Sequence, residues 1–506
     1  MSEPELRSTP GAETLPDPAD APAVIHNPSQ DHLRELARGD ETTTDFGAPS
    51  YVSEYRSRCA DRTKNAIDDA FTPADYALVD DAFEAASDPD TELICVDRVV
   101  GRHTEHASVC RYYVPVEYAR IALALTRLLE PAPEGAAPDF LTIQLPDWDE
   151  TAIRVLPDDG VTVVLGSDYT GEAKKSFLRL FMFHAKQQGG LGLHAGSKRV
   201  ELETNEGDLE TVGQLFLGLS ATGKSTLTAH GLGLEDPEDA TMLQDDVCAL
   251  LPDGTVVGSE GAGLYVKTIG LDADEQPAMH AAVTDDSSVL ENVDVAADGT
   301  VDFDSDHYTS NGRAVISRDE LSSADDDIDL DGVDQVFFIT RNPLMPPVAK
   351  LDENEAAAAF MLGESIQTSA GDPDAAGESI RVVGTNPFIV GPEGEEGNRF
   401  RDLIADLDVD CYVLNTGHVG DDAVDIGVDE SVGILREIAR GTVDWTADDA
   451  TAMTIPSHVP GIDIDAFHVP DHVEDYAGRA AALRAEREAH LAQYPELDDA
   501  ILDAVY

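Results

Sequence analysis

Residues 218 to 226 read Gly218-Leu219-Ser220-Ala221-Thr222-Gly223-Lys224-Ser225-Thr226, directly after the apolar run Gln214-Leu-Phe-Leu. A glycine, four residues and then Gly-Lys-Ser is the pattern of a loop that wraps main-chain N–H groups round phosphate. A helix opening at Gly223 would add the positive end of its dipole. Lys224 would meet the β- and γ-phosphates of a nucleoside triphosphate, and the Ser225 hydroxyl would meet magnesium. Such a loop needs a carboxylate at the end of a neighbouring strand. The run Thr241-Met-Leu-Gln244 followed by Asp245-Asp246 supplies two. The chemistry expected is phosphoryl transfer.

Lysine usage marks further candidates. The chain has eight lysines, at 64, 174, 175, 186, 198, 224, 267 and 350. Lys174 and Lys175 are adjacent, Lys224 closes the glycine-rich loop, Lys267 sits in Tyr-Val-Lys-Thr, and Lys350 follows Pro-Pro-Val-Ala. These five are read as cations for phosphate or carboxylate ligands, and Lys64, Lys186 and Lys198 as salt-bridge formers. A second cluster, Gly258 to Thr268, places Glu260 and Lys267 among glycines, which suits close packing round a ligand.

The rarity of lysine follows from composition. With 506 residues, Asp+Glu 100 against Lys+Arg 33 and a net charge of −67, the acid runs from end to end rather than into one tail. At molar salt the Debye length falls to about 3 Å, so a carboxylate-covered surface repels itself little and stays hydrated. A halophilic cytosol is the expected setting. Such a surface excludes binding to nucleic acid or anionic membranes. No basic leader precedes an apolar stretch and no 18 apolar residues run together, so a cytoplasmic protein is expected. Five cysteines, an odd number without a Cys-x-x-Cys pair, point to buried thiols rather than disulfides or zinc.

The elements that must position these residues fall into two α/β domains. Residues 1–40 read as a mobile acidic leader, 41–205 as an N-terminal α/β substrate-side domain, 206–455 as the phosphate-loop nucleotide-binding domain, and 456–506 as a solvated helical tail. Strands are expected at 93–96, 161–165, 214–217, 242–244, 334–340 and 411–414. Helices are expected over 116–129, 174–186 and 476–493, with others opening at Gly223, Glu353 and Asp429.

Taken in order, these segments resemble the ATP-dependent phosphoenolpyruvate carboxykinase family. Gly166-Ser-Asp-Tyr169-Thr-Gly-Glu172-Ala-Lys174-Lys175 is similar to its substrate and metal stretch, and His194 stands nineteen residues after Lys175, as the family's metal-binding histidine does. The loop 218–226 and Asp245-Asp246 resemble its nucleotide motifs. Glu260 to Thr268, then Glu291-Asn-Val-Asp-Val through Thr309-Ser-Asn-Gly-Arg313, resemble the stretches that supply a nucleotide-contacting Glu and a catalytic Arg. Pro346-Pro347-Val348-Ala349-Lys350, Ala370-Gly371 and Asn415-Thr416-Gly417 follow as landmarks.

The resemblance implies a two-domain carboxykinase-like architecture with a mixed-sheet C-terminal domain carrying the phosphate loop. It implies conversion of oxaloacetate to phosphoenolpyruvate and carbon dioxide with ATP, manganese and magnesium. Lys175, His194 and Asp246 would bind manganese, the lysine as a neutral amine aided by the neighbouring charge of Lys174. Ser225 and Asp245 would serve magnesium, and residues 218–226 and Glu260 the nucleotide. Arg313 would stabilise the moving phosphoryl group, with Lys174 and Lys175 catalytic beside it. Tyr169 would lie against the substrate, and Arg56, with Arg58 and Arg62 as rivals, would clasp its carboxylate.

Two departures stand out. Val247-Cys248-Ala249-Leu250 replaces the family's Glu-His-Gly after the acid pair, and no arginine lies between Val424 and Glu430 to face adenine. Base choice, ATP or GTP, therefore stays open. Two other readings keep the phosphate loop: a kinase for a protein side chain or small hydroxylated metabolite, and a nucleotide-gated regulator without catalysis.

Overall fold

The computed structural model describes residues 15–204, 206–219, 222–274, 276–366, 379–421 and 423–506. The chain forms two compact units, each discontinuous in sequence: the chain through Phe183 with Ser259–Ser322, and His184–Gly258 with Ser323–Tyr506. This departs from the contiguous division expected at 205/206. Residues 259–322 belong with the N-terminal part because Val289–Glu291 pairs in parallel with Pro49–Tyr51 and antiparallel with Arg313–Ser317, which pairs in turn with Gly263–Lys267.

The first unit is built on an eight-stranded mixed sheet and this smaller, five-stranded one. The large sheet runs in the order Val24–His26, Leu93–Val100, Ser108–Pro115, Phe140–Leu145, Val161–Leu165, Ala152–Leu156 and Thr63–Asn65, with Glu130–Pro131 off the path. Strand Phe140–Leu145 is buried at every position and Val161–Leu165 likewise, as expected for central strands covered on both faces. Helix Pro73–Ser87 packs on these strands. Proline begins it and Thr72 and Asp75 cap it reciprocally.

Part of the expected mobile leader is ordered. Val24–His26 pairs in parallel with Leu93–Cys95, and Gln30–Leu36 forms a helix capped by Ser29 with Leu33 fully buried. Its few apolar residues find partners about seventy residues away, a relation that local composition does not contain. Residues 1–14 lie outside the described part.

The second unit holds an eight-stranded mixed sheet ordered Asp239–Asp245, Ala195–Glu203, Leu209–Gly218, Gln335–Thr340, Asp410–Asn415, Val348–Leu351, Met453–His458 and Asp444–Asp448. The three strands 209–218, 335–340 and 410–415 are parallel. Phe216, Phe337 and Tyr412 are register partners across them and stack at centroid distances of 5.3 and 5.2 Å. The phosphate loop leaves the carboxyl end of the first of these strands, where open α/β sheets place their ligands. Helices Glu353–Leu362 and Glu393–Leu407 cover one face; Lys224–Ala229 and Val428–Ala439 cover the other. Val247 to Leu250, which breaks the family's pattern, is buried, and Cys248–Leu250 pairs with Leu191–Leu193.

The tail is not a solvated appendage. Helix Tyr476–Leu491 is followed by Leu497, Ile501 and Val505, which join the core of the second unit beside Phe360 and Phe400. Arg487, 3% exposed, donates to both oxygens of Glu364 at 2.7 and 3.2 Å and to the Tyr506 carbonyl at 2.7 Å. The charged run that suggested solvation conceals this one inward cation. All five cysteines are buried and unpaired with one another, as expected. Among the described residues no helix is long and apolar enough to cross a membrane.

Burial by itself raises the Glu364 carboxyl, but Arg487 and then Arg381 outweigh it and bring its pKa down to about 2. A carboxyl depressed in the folded state stabilises fully above its unfolded pKa and loses that stabilisation as pH falls through its folded value. The loss should therefore run from about pH 4.5 down to about pH 2. Arg487→Met should lower unfolding free energy by about 3 kcal/mol, because Glu364 is left under-compensated. Denaturant titrations at neutral pH and at the acid end of that window check both the loss and its convergence with wild type at low pH.

Candidate active site

In the first unit, residues 166–175 leave strand Val161–Leu165 and enter the helix Thr170–Gln187. Asp168 fixes this turn. Its carboxylate takes the Arg120 guanidinium at 2.6 Å and the main-chain N–H groups of Glu54 and Tyr55 at 2.8 and 3.0 Å. Arg120, on helix Ala119–Leu128, also lies 3.6 Å from Glu291. Glu291 accepts the Thr170 N–H at 3.1 Å, a carboxylate at a helix N-terminus, and the Tyr265 hydroxyl at 2.8 Å. Burial pushes the Glu291 carboxyl up despite Arg120 beside it. Burial, followed by the charge of Glu291, pushes the Tyr265 phenol well up.

The segment held by Asp168 carries Arg56. Its guanidinium donates to Asn292 Oδ1 at 2.9 Å, and its carbonyl accepts from Asn311 Nδ2 at 2.8 Å. The same Asn311 amide donates to the Tyr169 hydroxyl at 3.3 Å, and its oxygen accepts from Arg313 at 2.9 Å. One side chain thus joins three of the residues singled out in the sequence. Of the rivals to Arg56, Arg62 is exposed against Asp61 at 3.4 Å, and Arg58 is held below the usual guanidinium range by burial.

Lys174 and Lys175 have different surroundings. Successive helical residues point about 100° apart. Lys174, 2% exposed, places Nζ 2.9 Å from Glu260 Oε1, itself fully buried, and lies 5.2 Å over the Tyr265 ring. Arg313 lies 5.4 Å over the same ring. Lys175 is only partly buried. Glu260, expected at the nucleotide, and Lys174, expected to be catalytic, are thus enclosed and paired with each other. Lys267 is the register partner of Arg313 across the strand pair, and burial, then Arg313, lowers its pKa.

The second unit carries the phosphate loop. Gly223 adopts φ 94°, which only glycine takes freely, and opens the helix Lys224–Ala229. Thr222 ties the loop back on itself, its hydroxyl donating to Leu219 O at 2.8 Å, while its carbonyl accepts from the Thr416 hydroxyl at 2.6 Å. Lys224 is partly exposed, and Ser225 and Thr226 are exposed. Ser220 and Ala221 lie outside the described residues, as do Ala370 and Gly371.

Asp245 ends strand Asp239–Asp245 opposite Gly196, the residue that begins the neighbouring strand with Ala195. Its Oδ1 is buried without a hydrogen-bond partner among the described residues. Asp246 holds φ at 147°, a conformation that costs an L-residue about 1–3 kcal/mol. Its Oδ1 lies 3.0 Å from His194 Nε2. A strained carboxylate meeting an imidazole, beside a buried orphan carboxylate oxygen, is a donor set that fits divalent cations.

Arg120, Asp168, Asn292, Tyr265 and Asn311 escaped the motif reading. Arg120 left a signal, being the one charge in Ala119-Arg-Ile-Ala-Leu-Ala-Leu. Asp168, Tyr265, Asn292 and Asn311 sat inside noted segments without a role. Among the lysines, Lys64, Lys186 and Lys350 are in ion pairs, with Asp75, Glu396 and Asp410. That agrees with the expectation for the first two; Lys350, expected as a ligand cation, is paired as well.

A phosphate loop followed by a strand ending in two carboxylates suits a nucleotide and its cation, and the arginines and lysines gathered in the first unit suit an anionic ligand. The family model described as phosphoenolpyruvate carboxykinase matches residues 23–465. The phosphoenolpyruvate carboxykinase (ATP) of Aeropyrum pernix is 35% identical over 479 residues, covering 93% of this chain and 94% of that protein. The enzyme of the same name from Azorhizobium caulinodans is 30% identical over 421 residues, 78% and 74% of the two chains. That of Afipia carboxidovorans is 27% identical over 487 residues, 90% and 86%. The likeness therefore extends beyond the motifs, which run from Gly166 to Gly417. With the site residues in the order the motifs require and a relative matched across nearly all of both chains, the chain belongs to the phosphoenolpyruvate carboxykinase family.

Proposed function

We propose that this chain catalyses the ATP-dependent conversion of oxaloacetate to phosphoenolpyruvate and carbon dioxide, with the labour divided among its residues as follows. The observation that carries the reading is the joining of Arg56, Tyr169 and Arg313 by Asn311, in a chain whose curated relatives bear that activity in their names. The alternative phosphoryl acceptor draws no support from those relatives.

Cleavage of the carbon–carbon bond of oxaloacetate releases carbon dioxide and leaves its electron pair in the enolate of pyruvate. The enolate oxygen then attacks the γ-phosphorus in line, and the bond to the β–γ bridging oxygen breaks to leave ADP. Arg56 clasps the substrate carboxylate, and Asn292 and Asn311 hold Arg56 in place. Tyr169 lies against the substrate. Arg313 neutralises charge on the moving phosphoryl group, its guanidinium held between Asn311 and the Tyr265 face. Main-chain groups of Gly218, Leu219, Thr222 and Gly223 cradle the phosphates, and Lys224 meets the β and γ groups.

Lys175, His194 and Asp246 are the manganese ligands in this reading, and Ser225 and Asp245 serve magnesium. When bound, these cations supply positive charge to the enolate and phosphate oxygens. Lys174 and Glu260 act together as a positioning pair behind Lys175 and Tyr265. The acidic surface fits work in a salt-rich cytoplasm.

Purified protein in molar potassium chloride should form phosphoenolpyruvate from oxaloacetate with ATP, manganese and magnesium, and lose that turnover in EDTA; a coupled assay run with ATP and with GTP also settles the base. A folded protein that binds nucleotide but makes no phosphoenolpyruvate would reject the reading. Lys175→Met should cut kcat by about a thousandfold or more while ATP affinity, measured by calorimetry, stays within about threefold. Asn311→Ala should lower kcat/KM by about ten- to a hundredfold, because Arg56, Tyr169 and Arg313 lose their common tether. Its melting temperature should stay close to wild type.

A further inference from the structure

Lys198 was read from sequence as a salt-bridge former, and among the described residues no carboxylate pairs with it. It lies on strand Ala195–Glu203, four residues after His194, with no exposed surface. Its Nζ donates to two main-chain carbonyls, Leu227 O and His230 O, each at 2.6 Å, and sits 5.5 Å over the Phe216 ring. Leu227 lies within the helix Lys224–Ala229 and His230 is its C-cap. Phe216 is on the strand that delivers the phosphate loop. One nitrogen therefore links the strand that follows His194, the strand before the loop, and the far end of the loop's own helix.

That helix needs such an anchor. Six residues are too few for a helix to hold itself in water, and its last carbonyls have no partners within it. A cation at its C-terminus satisfies those carbonyls and suits the helix dipole. The seat is close: a Cβ on Gly196 would stand 2.4 Å from Thr228 Oγ1, so glycine lets the strand meet the helix directly. Thr228 spends its own hydroxyl on Lys224 O at 2.9 Å. Enclosing an ammonium without a carboxylate is costly, and burial lowers the Lys198 pKa to about 7. An apolar side chain would avoid that cost but would leave both carbonyls unbonded.

We propose that Lys198 is a positioning residue for ATP: it holds the phosphate-loop helix from its C-terminal end, so that Lys224 and Ser225 at the other end meet the phosphates without rearrangement. The inference rests on the assignment of this loop to ATP. Lys198→Met should raise both the Kd and the KM for ATP about tenfold, while the KM for oxaloacetate stays within about twofold. Lys198→Arg, which keeps the donors and the charge, should recover most of the ATP affinity. ATP affinity unchanged in Lys198→Met, or equal losses for both substrates, would overturn the inference.

Hydrogen exchange on nucleotide-free wild type gives a second reading should Lys198→Met fail to fold. The amides of Leu227 to Ala229 should be protected to within about tenfold of the strand Leu209–Gly218; protection that arises only with ATP would sink the proposal. A wild type without measurable ATP affinity would instead remove the assignment of the loop itself.

Discussion

Every carboxylate taken out of water needs a cation or a set of N–H donors, and this chain has 33 Lys and Arg for 100 Asp and Glu. The interior is organised round that shortage. Asp168 holds Arg120, Glu260 holds Lys174, Glu364 holds Arg381 and Arg487, Asp75 holds Arg154 and Lys64, and Glu396 holds Lys186. Many of the other acids are exposed, where water solvates them at little cost. A cation inside this protein is therefore committed to a particular place, and most of those places are joints between segments distant in the chain.

The site inherits its order from these joints. In the first unit Arg120, through Asp168 and Glu291, sets both the segment that carries Arg56 and the first turn of the helix that carries Lys174 and Lys175. Asn311 then links Arg56, Tyr169 and Arg313 with neutral donors and acceptors. In the second unit the parallel strands and their aromatic stack present the phosphate loop, and the strained Asp246 meets His194. Preorganised charge of this kind is the largest contribution a protein makes to phosphoryl transfer.

Much of this was legible because it is local. Strands 161–165 and 335–340, and helices opening at Gly223, Glu353 and Val428, stand where apolar runs and caps indicated, to within a residue or two. The tail and the segment 24–36 were misread because their apolar residues are few and are buried by partners far along the chain. The pairing of Glu260 was hidden for a different reason. A motif shows that an acid stands beside a glycine-rich turn, but its burial against Lys174 depends on a helix eighty-odd residues earlier.

By itself the sequence determined the chemistry of contiguous stretches. Main-chain N–H groups that cradle phosphate come from neighbouring residues, so Gly218 to Thr226 specify their site wherever the fold puts them. The acid pair Asp245-Asp246 and the lysine pair Lys174-Lys175 were visible in the same way. Only the tertiary structure decided which lysine of the pair is enclosed, and which asparagine gathers residues 255 and 142 positions away in the chain. It alone showed that Lys198 bonds two carbonyls rather than a carboxylate. The physical reason is that burial and hydrogen-bond partners are properties of the space between segments, which local propensity does not encode.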